Sequence, residues 1–226
     1  MNRRADFHTH TLISDGSLSL PELVQRARVL DHKFLAVTDH VGLGDIEPTL
    51  ARLRAASERC STPELEVMVG VEITHVPPRL LDEAVRRARR AGAGIVLVHG
   101  ETVAEPVAPG TNRAAVQIPE IDVLAHPGLL DLRDAERARA NGIYLELSGR
   151  TTHGLANGRV AAVAEATGTP TVVNSDAHEP AHLLTLAAAF DVARASGAPL
   201  ARARRSVAAY PEALLRRLRQ GGAVGP

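Results

Sequence analysis

Ile95-Val96-Leu97-Val98-His99 is a run of four apolar residues that closes on an imidazole. An uninterrupted apolar run of this kind is what a parallel strand buried on both faces requires. Six other stretches repeat the arrangement. Asp6-Phe7-His8-Thr9-His10 opens the series; Phe34 to Val37 runs into Thr38-Asp39-His40, Val67 to Val71 into Glu72, and Val123 to Ala125 into His126. Ile143 to Leu147 runs into Ser148-Gly149-Arg150, and Thr171 to Val173 into Asn174-Ser175-Asp176-Ala177-His178. Imidazoles and carboxylates at nearly every strand end imply convergence on one centre.

Segments of helical character separate the strands: Pro21 to Leu30, Pro48 to Arg59, Leu80 to Ala91, Asn112 to Val116, Leu132 to Ala140 and Val160 to Thr167. Ser19-Leu20-Pro21-Glu22 offers a helix cap, a proline in the first turn and an acid beside the positive helix end. Gly92, Gly142 and Gly168 stand where left-handed C-caps are wanted. Strand and helix in alternation predict an α/β protein with a parallel sheet or barrel. Because α/β barrels carry their active sites at the C-terminal strand ends, the position of the polar residues favours a barrel. Seven strands rather than eight predict a distorted (β/α)7 TIM-like barrel. Leu183 to Ser196 and Pro211 to Gln220 read as helices covering the outside, so residues 1–220 form one barrel domain and 221–226 a flexible tail.

Composition narrows the function classes. Lys+Arg and Asp+Glu are both 26, a formal net charge of zero, which gives no electrostatic case for nucleic acid or a membrane surface. Aromatic residues make up only 2% and Trp is absent, so base-stacking platforms are not expected. Cys60 is the only cysteine, which excludes an intrachain disulfide and a thiolate metal cage. Asp6 and His8 fall where an export signal would need an apolar run, so a cytoplasmic setting is expected.

His8 and His10 are two apart, as are Asp176 and His178, so in extended chain each pair projects to one side. Six histidines (His8, His10, His40, His99, His126, His178) and three carboxylates (Asp15, Glu72, Asp176) would meet at one barrel mouth. Zinc usually takes four donors, so this set fits two or three ions. Three divalent ions outweigh three carboxylates and leave a cavity suited to a phosphate dianion. Clustered ions also lower the pKa of bound water to roughly 7, giving hydroxide for in-line attack. The expected reaction is phosphate-ester hydrolysis, with Glu72, Asp176 and His178 as the catalytic ion-holding residues.

Over essentially the whole chain these residues resemble the PHP family, the polymerase and histidinol phosphatase superfamily. Asp6-Phe7-His8-Thr9-His10 with Ser14-Asp15-Gly16 is similar to its first motif, Thr38-Asp39-His40 to its second, Leu124-Ala125-His126-Pro127 to its third and Asn174-Ser175-Asp176-Ala177-His178 to its fourth. Gly70-Val71-Glu72 and Val98-His99 complete the pattern. The resemblance implies a distorted seven-stranded barrel and a trinuclear site of zinc, manganese or iron. By its implication His8, His10, Glu72 and Asp176 hold the first ion, Glu72, His99 and His126 the second, and Asp15, His40 and His178 the third. The implied substrate is a small-molecule phosphomonoester, histidinol phosphate or a nucleotide-type ester among them.

Arg150, at the end of a strand without a metal donor, is the first candidate for gripping phosphate, since guanidinium pairs with it bidentately. Arg113, Asn112 and His153 lie on other strand-end loops and are further substrate candidates, and His75 or His153 could protonate the leaving group. Arg86-Arg87, Arg89-Arg90 and the cluster of Arg202 with Arg204-Arg205 read as solvated helix faces. Two alternatives from other classes accompany the phosphatase: an amidohydrolase-type enzyme, and a non-catalytic or exonuclease PHP module.

Overall fold

The computed structural model describes residues 3–58 and 60–221. The tail expected over 221–226 lies outside them from residue 222 onward, as does Arg59 at the end of an expected helix. The seven strand passes are all present, and two of them are broken. β1 (Arg4–Asp6) is followed by a split second pass, β2 (His32–Val37) and β3 (His40–Val41), and a split third, β4 (Glu66–Val69) and β5 (Val71–Ile73). β6 (Val96–His99), β7 (Val123–Ala125), β8 (Tyr144–Ser148) and β9 (Thr171–Asn174) complete the set.

All pairings are parallel. β1-β2-β4 form one sheet and β3-β5-β6-β7-β8-β9 the other. Backbone bonds carry the ladder across both breaks, with Gly70 N–H donating to Val37 O at 2.9 Å and Glu72 N–H to Asp39 O at 3.2 Å. At the first break Asp39 turns its carboxylate to the loop after β1, accepting from the N–H groups of Thr11 and Ser14. At the second, Gly70 is required: a Cβ there would stand 2.2 Å from Ile95 O. The first and last passes also touch, through a parallel bridge between Thr9 and Ala177 and a bond from His10 N–H to Ala177 O. The strands thus follow the circuit of a distorted TIM-like barrel.

The helices are α1 (Leu20–Val29), α2 (Ile46–Ser57), α3 (Leu81–Arg90), α4 (Thr111–Ala115), α5 (Leu132–Ala140), α6 (Asn157–Thr167), α7 (Leu186–Ala195), α8 (Leu200–Val207) and α9 (Ala209–Gly221). Gly92, Gly142 and Gly168 have positive φ, as C-caps require. Ser19 does take the N-cap position of α1, but its side chain makes no capping bond. The cluster of Arg202 with Arg204-Arg205 does lie on a helix, α8, but Arg202 is buried, with its guanidinium on Glu165 and Thr169 O, so it is a packing residue rather than part of a solvated face. Most of the other basic pairs are engaged as well, Arg86 with Asp82, Arg87 with Glu47 and Arg89 with Asp122. Among the described residues no helix is long and apolar enough to cross a membrane.

Leu214, Leu215 and Leu218 of α9 join Ala5, Phe34, Ile95, Val123 and Val172, the residues near the N-terminal ends of the strands, in one apolar cluster. That end of the barrel is plugged by hydrocarbon. The polar ends of the strands are left at the other.

Candidate metal centre

Every strand pass delivers a polar side chain to the C-terminal mouth, most of them buried. His8 and His10 follow β1 in extended chain, and their Nε2 atoms approach to 3.0 Å. His8 Nε2 lies 3.0 Å from Glu72 Oε2 on β5 and 3.6 Å from Asp176 Oδ1 beyond β9. His10 Nε2 is 3.5 Å and 3.4 Å from the same two oxygens. His126, beyond β7, brings Nε2 to 3.3 Å from Glu72 Oε1. His40 Nδ1 is 3.0 Å from Glu72 Oε2, and Asp15 Oδ2 lies 3.2 Å from His178 Nε2.

These donors fall into overlapping groups whose ligand atoms all lie within 4.8 Å of one another: His8, His10 and Glu72; His10, Asp15, His40 and His178; His99, His126 and His153; and His8, His126 and Glu146. Eight of the nine donors expected at the mouth fall in these groups, and the ninth, Asp176, joins them through His8, His10 and His178. Asp15 is held by its loop: Asp39 accepts bonds from Thr11 and Ser14 on either side of the turn, and Gly16 presses so close that a Cβ would meet His10 O at 2.6 Å.

Partners behind the rings set which nitrogen faces the centre. His8 Nδ1 meets Glu146 Oε1 at 2.8 Å, His99 Nδ1 donates to Gly100 O at 3.1 Å, and His178 Nδ1 donates to Asp176 O at 3.0 Å. In each case Nε2 is left for the mouth. The backbone bends to serve the same end, because His126 and Asp176 have φ of 28° and 51°, a region that non-glycine residues enter only at a cost.

Burial opposes charge on all these groups, so the charge they carry is set by their neighbours. Glu72 is nonetheless held well below the usual carboxylate range by His8 and His40, and Asp176 by His8 and His10. Asp15 is lowered by His178 and His40. Glu72, Glu146 and Asp176 push His8 well above its ordinary value, while His10, buried beside His40, is pushed down to about 3. The carboxylates and the His10 ring are thus held toward the deprotonated form that a metal ion needs, whereas the acids around His8, His40 and His126 hold those rings toward the protonated form.

Several of these buried atoms have no hydrogen-bond partner among the described residues: Glu72 Oε1, both carboxylate oxygens of Asp176, His10 Nδ1, His126 Nδ1 and His178 Nε2. Unpaired buried polar atoms are costly, and their concentration around one point fits cations held by mixed nitrogen and oxygen donors, as first-row divalent ions prefer.

The substrate candidates separate. Arg150, a quarter exposed, reaches the centre with Nη1 3.9 Å from Asp176 Oδ2. His153 is buried inside it, its ring stacked on His126 with centroids 4.1 Å apart. His75 is exposed at the rim, its ring centroid 5.5 Å from that of His99. Asn112 lines a cavity beside Glu105 with its amide already engaged, and Arg113 is occupied elsewhere. The Asn112 amide ties Glu101 N–H to Pro127 O, and Arg113 pairs with Asp131 and Asp134 at the start of α5.

Two residues of the site escaped sequence reasoning. Glu146 lies inside β8, and besides His8 it accepts from His126 N–H at 2.9 Å and from the Asn174 amide at 2.8 Å. A carboxylate between Leu145 and Leu147 in a buried strand was the available signal. Glu105 places Oε2 3.1 Å from His99 Nε2 and Oε1 3.5 Å from His153 Nε2. Nothing in its surroundings, Ala104-Glu105-Pro106-Val107, distinguishes it from an ordinary loop acid.

Comparison with known proteins agrees with this architecture. A family model described as the PHP domain matches residues 6–188. An uncharacterized protein of Methanocaldococcus jannaschii is 40% identical over 217 residues, covering 95% of this chain and 100% of its own. Among solved structures, archaeal ribonuclease P with mature tRNA contains a chain that superposes with a TM-score of 0.66 at 16% identity, over 96% of this chain and 90% of that one. Histidinol phosphate phosphatase from Lactococcus lactis, solved with zinc, L-histidinol and phosphate, superposes with a TM-score of 0.57 at 12% identity, over 87% of this chain and 95% of its own.

Proposed function

Because the chain belongs to the PHP family, we propose that it is a metal-dependent hydrolase of small phosphate monoesters. The observation that carries this is the convergence of the His8, His10 and His126 Nε2 atoms on the carboxylates of Glu72 and Asp176, which still keep oxygens without a hydrogen-bond partner among the described residues. In this reading three divalent ions, zinc, manganese or iron, are held by His8, His10, Glu72 and Asp176, by Glu72, His99 and His126, and by Asp15, His40 and His178. Such ions supply Lewis acidity toward phosphate oxygens and a water acidic near neutral pH.

The chain's own residues do the rest. Glu72, whose two oxygens face different imidazoles, would serve two of the positions. Arg150 grips the phosphate from the rim, where its flexible stem lets the guanidinium turn onto two oxygens. Beside Glu105 a cavity of about 380 Å³, walled by Thr102, Val103, Pro106, Val107 and Leu129, receives the alcohol half of the ester. That volume suits a small molecule.

Metal analysis of the purified protein, followed by hydrolysis assays over a broad panel of phosphomonoesters, tests the proposal. Inactivity on every member by metal-loaded protein would sink it. The likeness to a chain of archaeal ribonuclease P favours one second reading, a role in an RNA–protein assembly; metal-free protein that binds tRNA tightly would decide for that instead.

A further inference from the structure

Of the three ion positions just proposed, the second is the poorest in donors: Glu72, His99 and His126, with Glu72 shared with the first. We propose that His153 completes it, so that this chain holds the second ion by three imidazoles, those of His99, His126 and His153, beside the bridging carboxylate. The inference rests on the metal-dependent reading above.

The geometry of His153 supports a ligand's role. The side chain is buried, on the single turn that follows β8, and its ring stacks on His126 at an interplanar angle of 17°. Thr102 Oγ1 stands 2.7 Å from His153 Nδ1 and holds that nitrogen away from the mouth, leaving Nε2 to face it. His99 is arranged the same way, with Nδ1 on Gly100 O. Two rings of one position are thus clamped from behind, as metal-bound histidines are. The ligand atoms of His99, His126 and His153 already lie within 4.8 Å of one another. Nitrogens about 2.1 Å from one tetrahedral ion stand about 3.4 Å apart, so the rings must close by up to about 1.4 Å to hold it.

Two neighbours compete for the same nitrogen. Glu105 Oε1 is 3.5 Å and Arg150 Nη1 3.3 Å from His153 Nε2. Both sit on partly exposed side chains that can turn toward the mouth, whereas the His153 ring is locked by Thr102 and His126. A position rich in imidazole favours zinc or iron over manganese, whose preference is for oxygen donors.

The test is titration of chelator-stripped protein with Co²⁺, read by visible absorption and by metal content after desalting, for wild type, His153→Ala, Thr102→Val and Glu105→Gln. The expected result is that His153→Ala loses one bound ion per chain. Thr102→Val, which keeps the ring but frees its back nitrogen, weakens the same site by about 10–100-fold, and so supports the proposal even if His153→Ala does not fold. Glu105→Gln leaves the stoichiometry unchanged. The inference is overturned if folded His153→Ala titrates like wild type, or if Glu105→Gln is the variant that loses the ion. Wild-type protein that binds no ion at all overturns the metal-dependent reading itself, a distinguishable outcome.

Discussion

Glu146 Oε1 stands 2.8 Å from His8 Nδ1, and this contact decides which nitrogen of His8 faces the centre. The other oxygen of the same carboxylate accepts the His126 backbone N–H. Glu146→Gln keeps one acceptor and puts an amide N–H against another donor. Metal affinity should fall by about 10–100-fold, the usual cost of losing an outer partner. Isothermal titration with zinc would measure it, and an affinity equal to wild type would remove Glu146 from the support of the site.

Glu72 touches His8, His40 and His126. Glu72→Ala and His99→Ala should each abolish turnover and reduce metal content, whatever substrate is used. Retention of full activity by either variant would refute the assigned centre.

Arg150 lies at the rim and 3.9 Å from Asp176. If it grips phosphate in the ground state, Arg150→Ala should mainly raise KM and leave kcat near its original value. Steady-state kinetics in which both constants stay unchanged would demote the residue to surface.

Asp6 is buried behind the centre with Arg4 Nη2 at 3.0 Å and the Ser175 hydroxyl donating to it. Burial opposes its charge, yet Arg4 and His32 hold it well below the usual carboxylate range. A folded pKa below the unfolded one contributes stability that is complete above about pH 4 and is lost as the pH falls toward the folded value. Asp6→Asn strands Arg4 and should cost about 3–5 kcal/mol at neutral pH. In urea melts of chelator-treated protein this cost should shrink below about pH 4. A difference that stays flat down to pH 3 would contradict the assignment.

What was legible in the sequence had a one-dimensional signature. Ile95 to Val98 and Thr171 to Val173 announce buried strands because an apolar run needs no partner to be recognised, and the donors at the strand ends are visible for the same reason. The breaks at Asp39 and Gly70 were not legible, since each depends on a neighbour brought by another pass: the Thr11 loop for Asp39, Ile95 O for Gly70. The loop positions of Arg113 and Asn112 do not reveal what their side chains bond. Their real partners, Asp131 and Pro127, are close only in the folded barrel. His153 is the opposite case, a loop histidine expected at the substrate that folding buries among the metal-ligand candidates.

The bridge between Thr9 and Ala177 carries a consequence for how the centre forms. His8 and His10 come first among the donors along the chain, and Asp176 and His178 last. Long-range contacts of this span form late in folding. The donor cluster is therefore completed only when the first and last passes of the barrel have met, so any ion the centre takes would be held by the full set only after that closure.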